Sequence, residues 1–233
     1  MNIAPHYWQK NKKSIFNFLK RDLYFVKTPW WIKKLYPNCV WDIKTNEKTI
    51  YLSFDDGPHP TITPFVLNEL KKYNAKATFF LIGDNVKKFP EIYKQVLNEG
   101  HATGNHTMHH ISGWKTEDEI YVNDIAEAHN YVDSKLFRPP YGQIKKTQIK
   151  QLSSHSKLQF KTIMWSVLAG DWVATISPQK CFEQIKNNVY PGCIIVFHDS
   201  EKANERMSYA LPKVLEYFTQ LGYTFKKIEI KSG

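Results

Sequence analysis

The stretch YLSFDDGP, residues 51–58, decides how the fold is interpreted, because it leads an apolar strand directly into two carboxylates. Residues 49–54 are β-branched and aromatic, which is typical of a buried strand, and a glycine–proline pair ends it. Asp55 and Asp56 therefore fall at the carboxyl end of that strand. An Asp-Asp-Gly-Pro sequence alone is typical of a polar turn, so its meaning depends on the motifs that follow it.

Four further polar motifs follow apolar runs that are long enough to be strands. The motifs are HTMHH at 106–110, RPPYG at 138–142, DW at 171–172 and VFHD at 196–199. Segments with helical apolar spacing lie between them, so predicted strands and helices alternate along the chain. This alternation indicates a parallel sheet with crossover connections, whose strand ends meet at one edge as in α/β barrels.

The predicted elements cover most of the chain after its first strand begins. The predicted strands are 49–54, 75–83, 101–105, 136–138, 159–167, 192–197 and 223–225, and the predicted helices are 63–73, 90–98, 116–134, 145–154, 177–188 and 204–221. Two helix starts carry specific signals. Thr63 before Pro64 is expected to cap the first helix, and Thr116 with Glu119 forms a capping box.

The composition favours one globular domain with an N-terminal extension. Of 233 residues, 42% are hydrophobic and 15% aromatic, which is enough for one large core. We place the extension at residues 1–45 and the main domain at residues 46–230. Nine Lys or Arg and two Asp give the extension a charge of +7, which leaves only +3 of the total +10 for the rest of the chain. This distribution argues against a nucleic-acid-binding body and predicts no nucleic-acid partner.

The extension is aromatic as well as basic. It holds four of the seven tryptophans, which are Trp8, Trp30, Trp31 and Trp41. A basic, aromatic, amphipathic segment could contact an anionic membrane surface or a polyanionic polymer. The alternative, which we favour, is that the aromatic side chains pack on the barrel while the lysines stay in solvent.

Two absent signals set the expected location, and the cysteines restrict the metal chemistry. No run of 18 or more apolar residues occurs, so we expect no membrane-spanning helix. Residues 1–13 do not show the apolar core of a secretory signal, which predicts a cytoplasmic protein or one bound peripherally at a membrane face. Three scattered cysteines without Cys-x-x-Cys spacing leave histidine and carboxylate as the ligands for any metal.

The histidine cluster suggests a metal site. His106 and His110 are four residues apart, so one helical turn would place both imidazoles on one face. His109 is also a neighbour of His106 on a helical turn, and the spacing alone does not choose between them. Two histidines and one aspartate would supply three protein ligands and leave an open position, which is the pattern of a catalytic divalent-metal site.

Taken together, the five motifs resemble those of the NodB-homology polysaccharide deacetylases, carbohydrate esterase family 4. The resemblance covers roughly residues 48–225 and keeps the motifs in the order of the family. It implies an irregular (β/α)7-type barrel, to which the basic, aromatic N-terminal extension is added. The sequence departs from the family pattern at Ser53, where threonine is usual, at Val196, where leucine is usual, and at Leu168, where the fourth motif usually has an acidic residue. We expect Leu168 to alter substrate recognition more than chemistry.

The resemblance also implies a role for each motif residue. The implied metal ligands are Asp56, His106 and His110, with His109 as a bystander. The implied catalytic groups are Asp55 as base, Arg138 orienting it, the Tyr141 backbone N–H at the oxyanion, and Asp171 tuning the general acid His198. The implied substrate pocket is lined by Trp172, Val196 and Tyr141.

The expected activity is metal-dependent removal of N-acetyl groups from amino sugars of an oligosaccharide, polysaccharide or glycoconjugate such as one containing N-acetylglucosamine. The products are acetate and a free amine. Zinc is the first expectation for the single divalent ion, and cobalt or nickel suits the same ligands. Two alternatives remain open, which are hydrolysis of a small amide or cyclic imide on the same barrel, and a non-catalytic carbohydrate-binding protein.

Overall fold

The computed structural model describes residues 24–155 and 158–229. The strands of the described chain all pair in parallel in one sheet with the order β5-β4-β3-β2-β1-β7-β6, and β8 pairs with β1 beside this path. The strands are β1 Thr49–Asp55, β2 Ala77–Leu81, β3 Ala102–Asn105, β4 Leu136–Phe137, β5 Lys161–Thr162, β6 Val167–Leu168, β7 Ile194–His198 and β8 Thr224–Phe225. This curled sheet confirms the predicted irregular (β/α) barrel with seven strands on its main path.

Helices connect the strands. They are α1 Trp30–Leu35, α2 Ile62–Lys72, α3 Gly83–Lys88, α4 Pro90–Asn98, α5 Asp118–His129, α6 Lys146–Ser154, α7 Pro178–Lys186 and α8 Glu201–Gln220, with 3₁₀ turns at Gly113–Lys115 and Pro140–Gly142. No helix in the described ranges is both long and apolar enough to cross a membrane.

Strand β1 is buried along its whole length, as expected for a central strand of a parallel sheet. Its alternate side chains face opposite sides. Phe54 packs outward in the main core, with its ring 5.1 Å from that of Phe79 and 5.9 Å from that of Phe197. Tyr51 lies in a smaller cluster on the other face. Asp55 has the same parity as Tyr51, so β1 directs the carboxylate into the barrel.

Two predicted helix starts were wrong. Helix α2 begins at Ile62, and Thr61 rather than Thr63 occupies its N-cap. The Thr63 hydroxyl is instead used in a contact with Asp199 on another strand end. The predicted capping box is absent, because the Thr116 hydroxyl donates to the Ser112 carbonyl and α5 has no side-chain cap.

Several predicted element limits also differ. Helix α5 ends at His129 rather than 134, α8 begins at Glu201 rather than 204, and residue Gly83 opens the unpredicted helix α3. The predicted strand 159–167 is two short strands, β5 and β6, which lie at opposite ends of the sheet. The strand is interrupted between them, where the Ile163 and Met164 carbonyls accept hydrogen bonds from the Arg138 side chain.

The N-terminal segment covers both ends of the sheet. The Leu168 N–H donates to the Val26 carbonyl and the Thr28 N–H to the Ser166 carbonyl, at 2.8 and 2.9 Å, so residues 24–28 form a strap along β6. Val40 forms a parallel bridge with Ile163 beside β5, whereas the strap runs antiparallel to β6. These contacts place the backbone of residues 24–43 against the barrel. The side chains of Trp30 and Trp31 are nevertheless 68% and 46% exposed, so the favoured expectation that the aromatic side chains pack on the barrel is wrong for these two residues. Residues 1–23 lie outside the described residues, so the boundary at residue 45 and the membrane contact stay predictions.

Candidate active site

A fully buried arginine holds the carboxylate at the end of β1. Arg138 is 0% exposed, and its Nη1 atom lies 2.6 Å from Asp55 Oδ1 and 2.7 Å from Ser53 Oγ. The remaining guanidinium nitrogens donate to backbone carbonyls, and the ring of Phe80 lies 3.9 Å below it. Burial lowers the pKa of Arg138 and the neighbouring Asp55 opposes this, so the two form a buried ion pair in which all three guanidinium nitrogens donate hydrogen bonds. This geometry fixes the position of the Asp55 carboxylate.

Asp56, the next residue, meets the two predicted histidines. Its Oδ1 atom lies 3.2 Å from His110 Nε2 and 3.7 Å from His106 Nε2. The three donor atoms lie within 4.8 Å of one another, as ligands of one ion would. Burial opposes ionisation of Asp56, but the bond to His110 and the nearby histidine charges hold its pKa well below the usual range. Asp56 is thus present as a carboxylate at neutral pH.

The hydrogen bond of His106 suits a metal ligand. Its Nδ1 atom lies 2.7 Å from the Arg138 carbonyl, which can only accept, so Nδ1 carries the proton and Nε2 presents a lone pair towards Asp56. Burial lowers the pKa of His106 to about 4, so the imidazole is neutral at pH 7. One carboxylate oxygen and two imidazole nitrogens form the donor set that zinc prefers. The described residues therefore fit the expected ion.

The two histidines converge without the helical turn that their spacing suggested. Residues 106–110 form a loop in which Thr107 and His110 adopt positive φ angles of 66° and 55°. Asp124 on α5 anchors this loop, since its Oδ1 accepts from the backbone N–H groups of Met108 and His109. The His109 ring lies 2.6 Å from Asp124 Oδ2 and away from Asp56, in keeping with the bystander assignment.

The candidate acid lies beside the candidate base. His198 and Asp55 are register partners on neighbouring strands β7 and β1. His198 Nδ1 lies 2.8 Å from Asp171 Oδ1, and the Asp171 Oδ2 atom accepts from the His198 backbone N–H. Burial alone lowers the pKa of His198, but the charge and hydrogen bond of Asp171, with more distant help from Asp56, raise it to about 9. The free ring nitrogen is thus protonated at neutral pH.

The predicted pocket residues lie around these groups. The Trp172 ring is 5.0 Å from the His198 ring, and the Tyr141 ring is 4.7 Å from the His110 ring. Tyr141 is 65% exposed and adopts a positive φ of 60°. Val196 is buried two residues before His198 and faces the same side of β7. Leu168, the departure from the family pattern, is the register partner of Val196.

Asp199, to which the sequence analysis assigned no role, has a structural part in the site. Asp199 is completely buried, and its Oδ1 accepts from the Gly57 N–H at 3.0 Å. Its Oδ2 accepts from the Thr63 hydroxyl at 2.5 Å, and its own N–H donates to the Asp55 carbonyl. A Cβ atom on Gly57 would lie 2.2 Å from Asp199 Oδ2, so the glycine is required there. Asp199 thereby ties the Asp55–Gly57 turn to β7.

Arg206 on α8 was also missed. Its Nε atom donates to the Asp171 carbonyl at 2.6 Å, and it is only 7% exposed. This bond connects the last long helix to the loop that carries Asp171. The only sequence signal is a charged residue on the apolar face of a helix, which is too common to be specific.

The family model described as polysaccharide deacetylase matches residues 42–159, which is half of the chain. The chain belongs to the polysaccharide deacetylase family. The predicted family and enzyme class, a hydrolase of non-peptide carbon–nitrogen bonds, are thus confirmed.

Relatives of this polysaccharide deacetylase include proteins with named activities. A peptidoglycan-N-acetylglucosamine deacetylase of Bacillus cereus is 37% identical over 192 residues, which cover 79% of this chain and 88% of the relative. A chitooligosaccharide deacetylase of Azorhizobium caulinodans is 37% identical over 164 residues, which cover 67% and 76%. The crystal structure of the Bc1960 peptidoglycan N-acetylglucosamine deacetylase superposes with a TM-score of 0.77 and 32% identity over 86% of this chain and 95% of that one.

Proposed function

We propose that this polysaccharide deacetylase removes N-acetyl groups from amino sugars in a glycan chain with the help of one divalent ion, zinc in the first place. One observation carries the proposal. Asp56, His106 and His110 present three ligand atoms within 4.8 Å of one another, with the Arg138-bound Asp55 and the Asp171-bound His198 on neighbouring strands beside them.

A divalent ion on these three ligands would polarise the amide carbonyl and make water more acidic at neutral pH. Asp55 then takes a proton from the water as the water oxygen forms a bond to the carbonyl carbon. The Tyr141 backbone N–H donates to the developing oxyanion, and loss of one such donor typically costs about 10²-fold in rate. Protonated His198 gives its proton to the amine as the carbon–nitrogen bond breaks. Acetate and a free amino sugar are released.

The exposure of the site favours a polymer over a small amide or cyclic imide. The side chains of Asp56 and His110 are 23% and 27% exposed, and that of His198 is 18% exposed. These groups therefore face solvent rather than an enclosed cavity. The named activities of the relatives support glycans of the peptidoglycan or chitooligosaccharide type as the substrates to test.

Acetate release from both glycan types tests the proposal. The protein, loaded in turn with zinc, cobalt or nickel, is incubated with N-acetylglucosamine oligomers and with peptidoglycan. We expect acetate from at least one of them. Asp55→Asn removes the base and should lower kcat by roughly 10²–10⁴-fold while zinc stays bound. His106→Ala should lose zinc and activity together.

Asp84→Asn is the matched control, because Asp84 lies on α3 and its carboxylate forms an ion pair with Lys88 at the surface. It should leave both activity and zinc content unchanged. Absence of acetate from every amino-sugar substrate with metal bound would refute the proposed function. A near-normal rate for Asp55→Asn would refute its assignment as the base.

A further inference from the structure

A row of aromatic rings connects the N-terminal strap, residues 24–28, to the candidate acid. The Tyr24 ring lies 5.1 Å from the Trp172 ring at an interplanar angle of 57°. The Trp172 ring in turn lies 5.0 Å from the His198 ring at 63°. Trp172 therefore contacts both His198 and a residue from the distant N-terminal segment.

Tyr24 has a fixed position behind Trp172. Its hydroxyl donates to Gln184 Oε1 at 2.9 Å, and Gln184, which is 9% exposed, donates to the Ala169 carbonyl. Gly170 makes room for it, because a Cβ atom there would lie 2.3 Å from the Tyr24 hydroxyl. Backbone bonds of the strap to β6 hold the adjacent residues. Tyr24 is therefore a partly buried tyrosine whose hydroxyl is hydrogen-bonded, and such a ring is a firm support for a neighbouring ring.

The next residue on the strap provides a contrast. Phe25 is 53% exposed, and its ring contacts that of Trp31 on α1 at 6.2 Å. The two neighbouring aromatic residues thus belong to different environments. Of these two neighbours, Tyr24 is the one whose ring contacts Trp172.

We propose that Tyr24 is a positioning residue that holds Trp172 against His198 and thereby sets the size of acyl group the enzyme accepts. The proposal rests on the proposed function, in which Trp172 lines the acyl pocket. Without the Tyr24 ring, space opens behind Trp172 and the indole can retreat from His198. The pocket then admits a longer acyl chain, while the acid is held less well for the acetyl substrate.

Three variants test this proposal with paired substrates. Tyr24→Ala removes the ring, Tyr24→Phe removes only the hydroxyl, and Phe25→Ala removes the neighbouring exposed ring. Each is assayed on glucosamine oligomers carrying N-acetyl or N-propionyl groups. For Tyr24→Ala we expect kcat/KM on the N-acetyl oligomer to fall roughly tenfold and the propionyl-to-acetyl ratio to rise. Tyr24→Phe, which keeps the ring but loses the hydrogen bond to Gln184, should change both values in the same direction and by less. Phe25→Ala should keep both values near those of the unmodified protein.

A second measurement needs no substrate. The Trp172 ring current shifts the ring-proton resonances of His198, which are assigned by comparison with His198→Gln. Tyr24→Ala should move these resonances and Phe25→Ala should not. If Tyr24→Ala does not fold, Tyr24→Leu, which keeps more of the volume, replaces it in both experiments.

The outcomes separate the two proposals. If the unmodified protein releases no acetate, the proposed function fails, and the resonances still decide whether Tyr24 positions Trp172. If Tyr24→Ala deacetylates with an unchanged propionyl-to-acetyl ratio and unshifted His198 resonances, Tyr24 has only a packing role and the inference is overturned.

Discussion

Two titratable pairs at the active site use burial in opposite ways. Arg138 is completely buried and forms an ion pair with Asp55, and this ion pair fixes the position of the Asp55 carboxylate. His198 keeps 18% of its side chain exposed while its Asp171 partner is fully buried, so the histidine can exchange a proton with a substrate. At the residue scale, we therefore expect Arg138 to position the candidate base Asp55, and Asp171 to hold the candidate acid His198 in its protonated form.

The pH dependence of the reaction tests the Asp171–His198 pair. The pKa of His198 is raised to about 9, so its acid form persists above neutral pH and activity should fall only as the pH rises through that value. Asp171→Asn removes the charge that opposes the effect of burial, and the alkaline limb of kcat/KM should therefore move to lower pH. The measurement is a pH–rate profile on an N-acetylglucosamine oligomer. Asp84→Asn should leave the limb in place, and an unmoved limb in Asp171→Asn would contradict this account.

At the scale of elements, Asp199 joins the carboxyl ends of β1 and β7. Asp56 adopts a positive φ of 82°, a conformation that is unfavourable for a residue with a side chain and needs support from its surroundings. The Asp199 carboxylate gives that support by accepting from Gly57 and Thr63. The register of the two strands alone does not fix the Asp56 side chain.

Replacing Asp199 should therefore weaken metal binding. Asp199→Ala removes both acceptors, and we expect zinc affinity to fall by about 10–100-fold, the usual effect of losing a group that supports a metal ligand. Asp199→Asn keeps an oxygen for the Gly57 N–H and should lose much less. Titration calorimetry with zinc measures both. Thr63→Ser should bind as the unmodified protein does, and zinc affinity in Asp199→Ala equal to that of Asp199→Asn would show that Asp199 does not act in this way.

The sequence predicted the strands and the motif positions better than the helix ends. A strand that ends at a polar motif can be recognised from local composition alone, and β1, β3 and β7 are strands of this kind. The first residue of α2 depends instead on a contact 136 residues away, because Asp199 takes the Thr63 hydroxyl that was expected to cap the helix. The interruption between β5 and β6 likewise depends on Arg138, which donates hydrogen bonds to the carbonyls of the residues between these strands.

The same distinction applies to the candidate site. The motif residues converge as expected, because each follows a strand and parallel strands end on one edge. Tyr24 could not be found in this way. Its hydroxyl is bonded to a residue 160 positions away, and no local pattern around it differs from the other aromatic residues of the extension.

At the scale of the whole molecule, ligand binding and folding are linked. Asp56 is on the β1 turn while His106 and His110 follow β3, so an ion bound to all three is held only by the folded chain. An ion that binds only the folded state stabilises it by about 2.7 kcal/mol at 100 times its Kd. For a chain of this size that corresponds to a rise in Tm of roughly 5–10 °C.

Thermal unfolding with and without zinc checks this expectation. Zinc should raise the Tm of the unmodified protein, and a chelator should reverse the rise. Asp55→Asn should keep the rise, because Asp55 is not one of the three ligands. His110→Ala should abolish it. A rise of equal size in His110→Ala would place the bound zinc elsewhere in the molecule.

The amino ends of the central strands lie at the end of the sheet opposite the candidate active site. Strands β1 and β8 begin side by side there, where Thr49 pairs with Thr224, so the connections before them lie a full length of β1 from Asp55 and His198. Fluorophores, affinity handles or immobilisation tethers attached at those connections should leave turnover unaffected. The protein thus has attachment sites for labels that are separate from its candidate active site.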